Sequence, residues 1–301
     1  RAGRTALVPL TTFQRQLLAV LSAEPSDDLG YLAGGAALHF EPNSTRFSRD
    51  LDFFHDSVER VAAAFARDSA RVEAAGYTVD VILSQPGFVR AIVTLGTEST
   101  RVDWAHDSAW RFMPLVRDQL GGLLLHPADL AINKVLALVG RDEPRDFVDV
   151  LFVHDRVLPL GALCWAAVGK DPGLTPLSLL ELLKRQGRYR PEDFSRLDLR
   201  EPFDLVVANE SWRAALQGAE MFCRTRPPAE IGCLYWSLSQ QKFVMPIPDA
   251  ATAADIVPHF GTPGGVLPSV VGLSCVAGDL SGGESNTSEH ADELLWQDPH
   301  A

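Results

Sequence analysis

Two aspartates at alternate positions of a short hydrophobic run, Asp50-Leu51-Asp52-Phe53-Phe54, set the strictest limit on what this chain can fold into. Alternation of acid and hydrophobe is the period of a strand, on which residues i and i+2 share a face. Leu51 and Phe53 then enter a core, and Asp50 and Asp52 project together from the other side. Two carboxylates held that close repel each other, and a fold keeps such a pair where a divalent cation compensates them. Metal ions held this way clamp the attacking and leaving oxygens of a phosphoryl transfer. The bland alternative is a surface strand with solvated acids.

The residues upstream favour the first reading. Tyr31-Leu32-Ala33 is a short apolar strand that runs into Gly34-Gly35, and Ala36 to His39 follow as a helical turn. A Gly-Gly turn lets backbone approach a phosphate closely, and the helix after it offers N–H groups to an anion. A polar loop with Arg46 and Ser48 then leads to the acidic strand. This succession, G-G-x-A-L, a loop with R-x-S, then D-L-D-F, resembles the DNA polymerase β-like nucleotidyltransferase superfamily. More narrowly, it resembles the AbiEii-type nucleotidyltransferase toxins of type IV toxin–antitoxin systems, over about residues 10 to 155.

The stretch from 77 to 105 reads as three strands, Tyr77 to Leu83, Phe88 to Leu95 and Thr100 to Ala105. Pro86-Gly87 and Gly96-Thr97-Glu98 separate them as turns. The third strand carries Val102-Asp103-Trp104. In the superfamily a third acid arrives on such a strand, so the resemblance implies Asp103 as the third metal ligand, with Asp107 as its alternate. Pro127 opens a helix, ADLAINKVLALVG, from whose apolar middle Lys134 projects. A lone lysine there is commonly a snorkelling surface group. The resemblance implies instead a lysine that stabilises triphosphate charge, followed by an R-D-x-x-D segment. Arg141, Arg145, Asp146 and Asp149 match that segment, with Val in place of the usual Leu after Asp149. Asp146 and Asp149 share a helical face at i and i+3. A purely structural salt-bridge network among these four is the alternative.

Elsewhere the chain reads as scaffold. Residues 8 to 24 form an amphipathic helix with Phe13, Leu17, Leu18 and Leu21 inward and Thr11 or Thr12 as cap. Ser57 opens a second helix ending near Gly76, with Val58, Val61, Ala62, Phe65, Val72 and Ala75 as its stripe. Helices are expected over Leu160 to Val168 and Thr175 to Gln186. Residues 184 to 200 hold six Lys or Arg against three acids, either a solvated helix end or a phosphate-contact surface. Residues 231 to 247 are strand-like, and 278 to 301 have a disordered composition.

Charge bears on the partner. The net charge of −12 argues against nucleic acid until its distribution is read. After Lys242 there are eight acids and no Lys or Arg, so that segment carries −8 and leaves −4 on the first 242 residues. No apolar run is long enough to span a membrane. The opening RAGRTALVPLTTF lacks the apolar core of a signal peptide, and the four cysteines form no C-x-x-C pair, which points to a reducing cytoplasm.

The expected fold is α+β. A polymerase β-like nucleotidyltransferase domain over 1–115, with a mixed, mostly antiparallel sheet, precedes a helical domain over 116–224 that completes the cleft. A small β or irregular extension with an acidic tail occupies 225–301. The expected activity is transfer of a nucleoside monophosphate from a nucleoside triphosphate. Asp50, Asp52 and Asp103 would hold Mg²⁺ or Mn²⁺, Gly34, Gly35, Arg46 and Ser48 would contact phosphates, and Lys134, Arg145, Asp146 and Asp149 would complete the site. The resemblance implies an RNA acceptor, with transfer RNA favoured, and an antitoxin partner. The alternatives are a small-molecule, aminoglycoside-type nucleotidyltransferase and a non-catalytic nucleotide-binding module.

Overall fold

A computed structural model describes residues 10–23, 30–40, 44–117, 122–247 and 253–268. Thr11 caps the first helix, α1 (Thr12–Leu21), by exchanging hydrogen bonds with Gln14, and Phe13, Leu17, Leu18 and Leu21 are buried as their spacing requires. β1 (Tyr31–Ala33) leads directly into α2 (Gly34–Leu38), and β2 (Asp50–His55) follows the polar loop. Along β2 burial alternates residue by residue, with Leu51, Phe53 and His55 inside. α3 (Val58–Ala74) is capped by Ser57 and stopped at Gly76, whose φ is +90°. Its inward stripe differs from the expected one. Val58, Ala62 and Ala75 are exposed, and Ala64 and Asp68 are buried beside Val61 and Val72. The reason is Trp104, whose indole N–H donates to the Asp68 carboxylate at 2.9 Å and gives a polar side chain a place in the core.

A meander follows: β3 (Thr78–Gln85), β4 (Phe88–Leu95) and β5 (Glu98–His106), then the short strands β6 (Trp110–Arg111), β7 (Val116–Arg117) and β8 (Leu123–Leu124). One seven-stranded sheet has the order β3-β4-β5-β2-β1-β8-β7. Its neighbours are antiparallel except β2 with β5 and β1 with β8. β7 and β8 lie beyond residue 115, so the sheet continues into the stretch that reads as helical in sequence. Two-residue strands leave no periodicity to find.

The register assembles one polar face. Ala33 lies opposite Asp52, Asp52 beside Asp103, Asp50 beside Arg101, and Arg90 opposite Asp103. Over this sheet sits a helical layer: α4 (Pro127–Arg141), α5 (Pro144–Arg156), α6 (Leu160–Lys170), α7 (Pro176–Leu183) and the long α8 (Leu205–Thr225). α6 is buried almost all round, with Leu160, Leu163, Cys164 and Ala166 fully inside. None of the helices among the described residues is long and apolar enough to cross a membrane.

The last described part forms a second sheet of β9 (Cys233–Ser237), β10 (Lys242–Val244) and β11 (Ile256–Phe260), with β9 in the centre. β12 (Thr262–Pro263) then returns to pair with β6. Cys164, Cys223 and Cys233 are buried free thiols. Cys275 and the acidic stretch 278–301 lie outside the described residues.

Candidate active site

The polar face of the sheet is one wall of a cleft of 510 Å³, and α4 is the other. Gly34 sets the closest approach. Its φ is +63°, a conformation L side chains avoid, and a Cβ there would overlap Oδ2 of Asp52. Only glycine lets the start of α2 lie against this carboxylate. A Cβ on Gly35 would come within 2.6 Å of Arg46 Nη2 and 3.1 Å of Ser48 Oγ. The Gly-Gly turn, Arg46 and Ser48 therefore form one cradle beside Asp52.

The acids of the sheet differ in their partners. Asp50 is paired with Arg101 on β5, and Arg145 Nη1 stands 3.9 Å from its Oδ2. Asp103 is gripped on both oxygens by the Arg90 guanidinium, at 2.9 and 2.7 Å. The Asp52 carboxylate makes no hydrogen bond or ion pair with any described residue. Burial pushes its carboxyl above the ordinary value. Lys134 opposes that shift, and the neighbouring charges of Asp103 and Asp50 add to it.

Behind the cleft wall lies a second charge cluster. Lys134 is buried and donates to Asp149 at 2.8 Å, with Asp146 at 3.5 Å. Arg46 reaches both oxygens of Asp149 at 2.7 Å, and His39 Nε2 sits 2.7 Å from Oδ1. Burial alone would raise the Asp149 carboxyl. Lys134, Arg46 and His39 outweigh it and hold the group well below the usual range. Burial also lowers the His39 pKa, so the neutral ring that donates from Nε2 fits this contact. Asp146 is held by Arg141 at 2.6 and 3.0 Å. Neither Asp146 nor Asp149 lines the cleft, and both are fully buried. Sequence groups them with catalytic acids, whereas the fold uses them to fix Lys134, Arg46 and Arg141.

Asp50 and Asp52 suit a divalent cation. They are hard oxygen donors on one strand face in an open cleft, and Asp52 has no competing partner. Asp103, expected as the third ligand, stands beside Asp52 with Arg90 on both its oxygens, much as Arg101 stands on Asp50. Among the described residues no group of three His, Cys, Asp or Glu side chains is arranged to hold a metal ion. Asp52 is the carboxylate left without an arginine, and Asp50 and Asp103 flank it with theirs. Asp103 lies beside Asp52 in register, about one strand spacing of ~4.8 Å away.

The cleft also contains residues the motif reading passed over, Arg90, Arg101, Asn133 and Lys170, and it contains Arg196 of the basic stretch 184–200. Arg101 was within reach of the period-2 argument, being two residues before Asp103. Arg90 was too, because the tight turn at Gly96-Thr97 pairs Leu95 with Glu98 and so Arg90 with Asp103. Lys170 gives no such signal, since only the tertiary packing of α6 brings it to Asp107 at 3.0 Å.

Residues 15–228 match the sequence profile of a family described as nucleotidyl transferase AbiEii toxin, type IV TA system. The chain belongs to this AbiEii toxin family. It is accordingly a nucleotidyltransferase that uses nucleoside triphosphates, and its family is one of toxins that act with an antitoxin. The AbiEii match runs from within α1 to just beyond α8 and includes every residue that lines the cleft. β9 to β12 lie outside it. Among solved structures, JHP933 from Helicobacter pylori is 18% identical, with 74% of this chain and 95% of that chain covered and a TM-score of 0.46. MenT4, a nucleotidyltransferase toxin from Mycobacterium tuberculosis H37Rv, is 20% identical, with 72% and 83% covered and a TM-score of 0.49. No curated protein matches the chain.

Proposed function

We propose that this AbiEii-family enzyme transfers a nucleoside monophosphate from a nucleoside triphosphate to RNA, the 3′ end of transfer RNA being the favoured acceptor. It acts in the cytoplasm and is neutralised by an antitoxin partner. The observation that carries the reading is the apposition of Gly34 to Asp52 in a cleft lined by nine Lys or Arg and five Asp. A molecule of net charge −12 concentrates positive charge at one concavity, which favours polyanionic substrates. A polycationic small acceptor would meet repulsion there, so the aminoglycoside-type alternative is less well supported.

In the reaction the acceptor hydroxyl oxygen bonds to the α-phosphorus, the α–β bridging bond breaks, and pyrophosphate leaves. A cleft carboxylate takes the hydroxyl proton. Gly34 and Gly35 bring backbone to the phosphates, with Ser48 and Arg46 beside them. Lys134, fixed by Asp149 and Asp146, meets triphosphate charge, and Arg145 stands ready beside Asp50. Asp50 and Asp52 would hold Mg²⁺ or Mn²⁺, whose chemistry is to neutralise charge on the phosphate oxygens.

The test incubates the protein with Mg²⁺, each labelled nucleoside triphosphate in turn, and total RNA. Label entering RNA of transfer-RNA size is the expected result, and Asp52→Asn should abolish it without loss of fold. Label entering no RNA with any of the four nucleotides would overturn the RNA assignment.

A further inference from the structure

The cleft has two unlike ends. α4 sends Leu130, Asn133, Lys134, Ala137 and Arg141 along its length, a stripe of about three turns rising about 16 Å. Toward Arg141 the walls are cationic, with Arg46, Arg101 and Arg145 in addition to Lys134. Toward Leu130 the charge is balanced, since Lys170 there is paired with Asp107. There the sheet presents Phe54, the next residue after Asp50 and Asp52 on the same face of β2. Its ring lies on Tyr31, with centroids 6.3 Å apart and planes 27° from parallel. Lys170, from the end of α6, meets Asp107 at 3.0 Å and lines the same end. The Asp107 N–H donates to the His55 carbonyl, which sets the Lys170–Asp107 pair next to Phe54 at the end of β2. The Asn133 amide also lines the cleft and forms no hydrogen bond with any described residue.

A nucleoside triphosphate has the same asymmetry: a string of phosphates at one end and a flat base at the other. We propose that Phe54, Asn133 and the Lys170–Asp107 pair form the subsite that receives the nucleobase and selects among bases. This rests on the nucleotidyltransferase reading of the cleft. Phe54 offers a ring against which a base stacks. Asn133 carries a donor and an acceptor on one amide, and Lys170 with Asp107 sets a donor beside an acceptor. Base edges present adjacent donors and acceptors, and a site that hydrogen-bonds such an edge rejects a base whose pattern is reversed. The step along β2 from Asp52 to Phe54 is about 7 Å, room for a ribose between phosphate and base.

The experiment titrates the full chain, with Mg²⁺, against each of the four nucleoside triphosphates and against inorganic tripolyphosphate. The wild type should prefer one nucleotide by at least about tenfold in Kd, roughly one lost hydrogen bond. Asn133→Leu and Lys170→Met should bring the four nucleotides within about twofold of one another and leave tripolyphosphate unchanged. Phe54→Leu, which keeps apolar volume against Tyr31, should weaken all four nucleotides and spare tripolyphosphate. Retained discrimination in both Asn133→Leu and Lys170→Met overturns the subsite. Equal losses for nucleotides and tripolyphosphate overturn it too, since that end would then bind phosphate. If the wild type binds neither nucleotides nor tripolyphosphate, the nucleotide reading of the whole cleft fails instead. Thermal melting of each variant separates these outcomes from misfolding.

Discussion

At the scale of single residues, Gly34 and Lys134 do different work. Gly34 combines a positive φ with direct contact to Asp52. Gly34→Ala must either move the carboxylate or turn the start of α2. Displacement of this order costs about a hundredfold in turnover, and that loss is expected with circular dichroism unchanged. Lys134 is both a cleft residue and the buried partner of Asp149. Lys134→Met should therefore lower stability by about 3 kcal/mol, because one buried charge loses a partner, as well as weaken triphosphate affinity. Lys134→Arg should restore part of the affinity, since the guanidinium is a fork and not a point charge. A variant as stable as the wild type in urea titration would show that Arg46 and His39 satisfy Asp149 alone. Arg101 offers a third test. It occupies Asp50, so a cation must compete with it. Arg101→Gln should tighten Mn²⁺ binding, read by electron paramagnetic resonance, several-fold, the scale of one partly exposed ion pair of about 1 kcal/mol. Unchanged Mn²⁺ affinity would remove Asp50 from the cation site.

Among the elements, α4 carries one wall of the cleft and depends on an unusual cap. His126 Nδ1 accepts the Ala128 N–H at 3.2 Å, which requires a neutral ring. Burial holds the His126 pKa down to about 4, with His259 adding to the effect. A histidine depressed in the folded state binds its proton more readily when unfolded. Its stability contribution is complete above about pH 6.5 and declines as the pH falls toward 4. Burial depresses His259, His39 and His154 as well, so each of them also favours the unfolded state as the pH falls. His126→Asn keeps an acceptor for the cap and should flatten the loss between pH 6.5 and 4 in chemical denaturation; an unchanged slope would assign it to the other buried histidines.

Legibility followed the same division. The strand with Asp50 and Asp52, the glycine turn, the meander and the helix with Lys134 all carry local periods or turn chemistry, and each stands where the sequence places it. Contacts between elements carry no such period. The Arg90 fork on Asp103 follows from the hairpin register, whereas the Arg101–Asp50 contact needs the pairing of β2 with β5, and the Asp149 cluster joins the end of α2, the loop after it, α4 and α5. α8 buries Ala208, Trp212, Ala215, Leu216, Ala219 and Phe222, yet the exposed Val206, Val207 and Met221 on its other side blur that period.

For the molecule as a whole, charge is segregated and not balanced. The cleft is net positive in a protein of net charge −12. RNA affinity, measured by fluorescence anisotropy, should fall linearly with the logarithm of salt, by roughly 0.7 in slope for each phosphate contact on a single strand. A flat response would exclude the cationic cleft as the acceptor surface.

The return of β12 to β6 has a bearing on timing. Gly264 N–H donates to the Ala109 carbonyl and Val266 N–H to that of Phe112, which His259 also meets at 2.9 Å. These carbonyls belong to the segment just after Asp103 and Asp107, so the strand with the site's acids is fastened by residues synthesised much later. About 145 residues separate Phe112 from Pro258, roughly 7 to 30 s of elongation. A nascent chain holds every motif of the cleft well before it holds the clasp. The ribosome therefore delivers this clasp after the catalytic part, and until then the segment is held by what is already made, Arg111 on Asp56 and the Phe112 and Met113 N–H groups on Asp129.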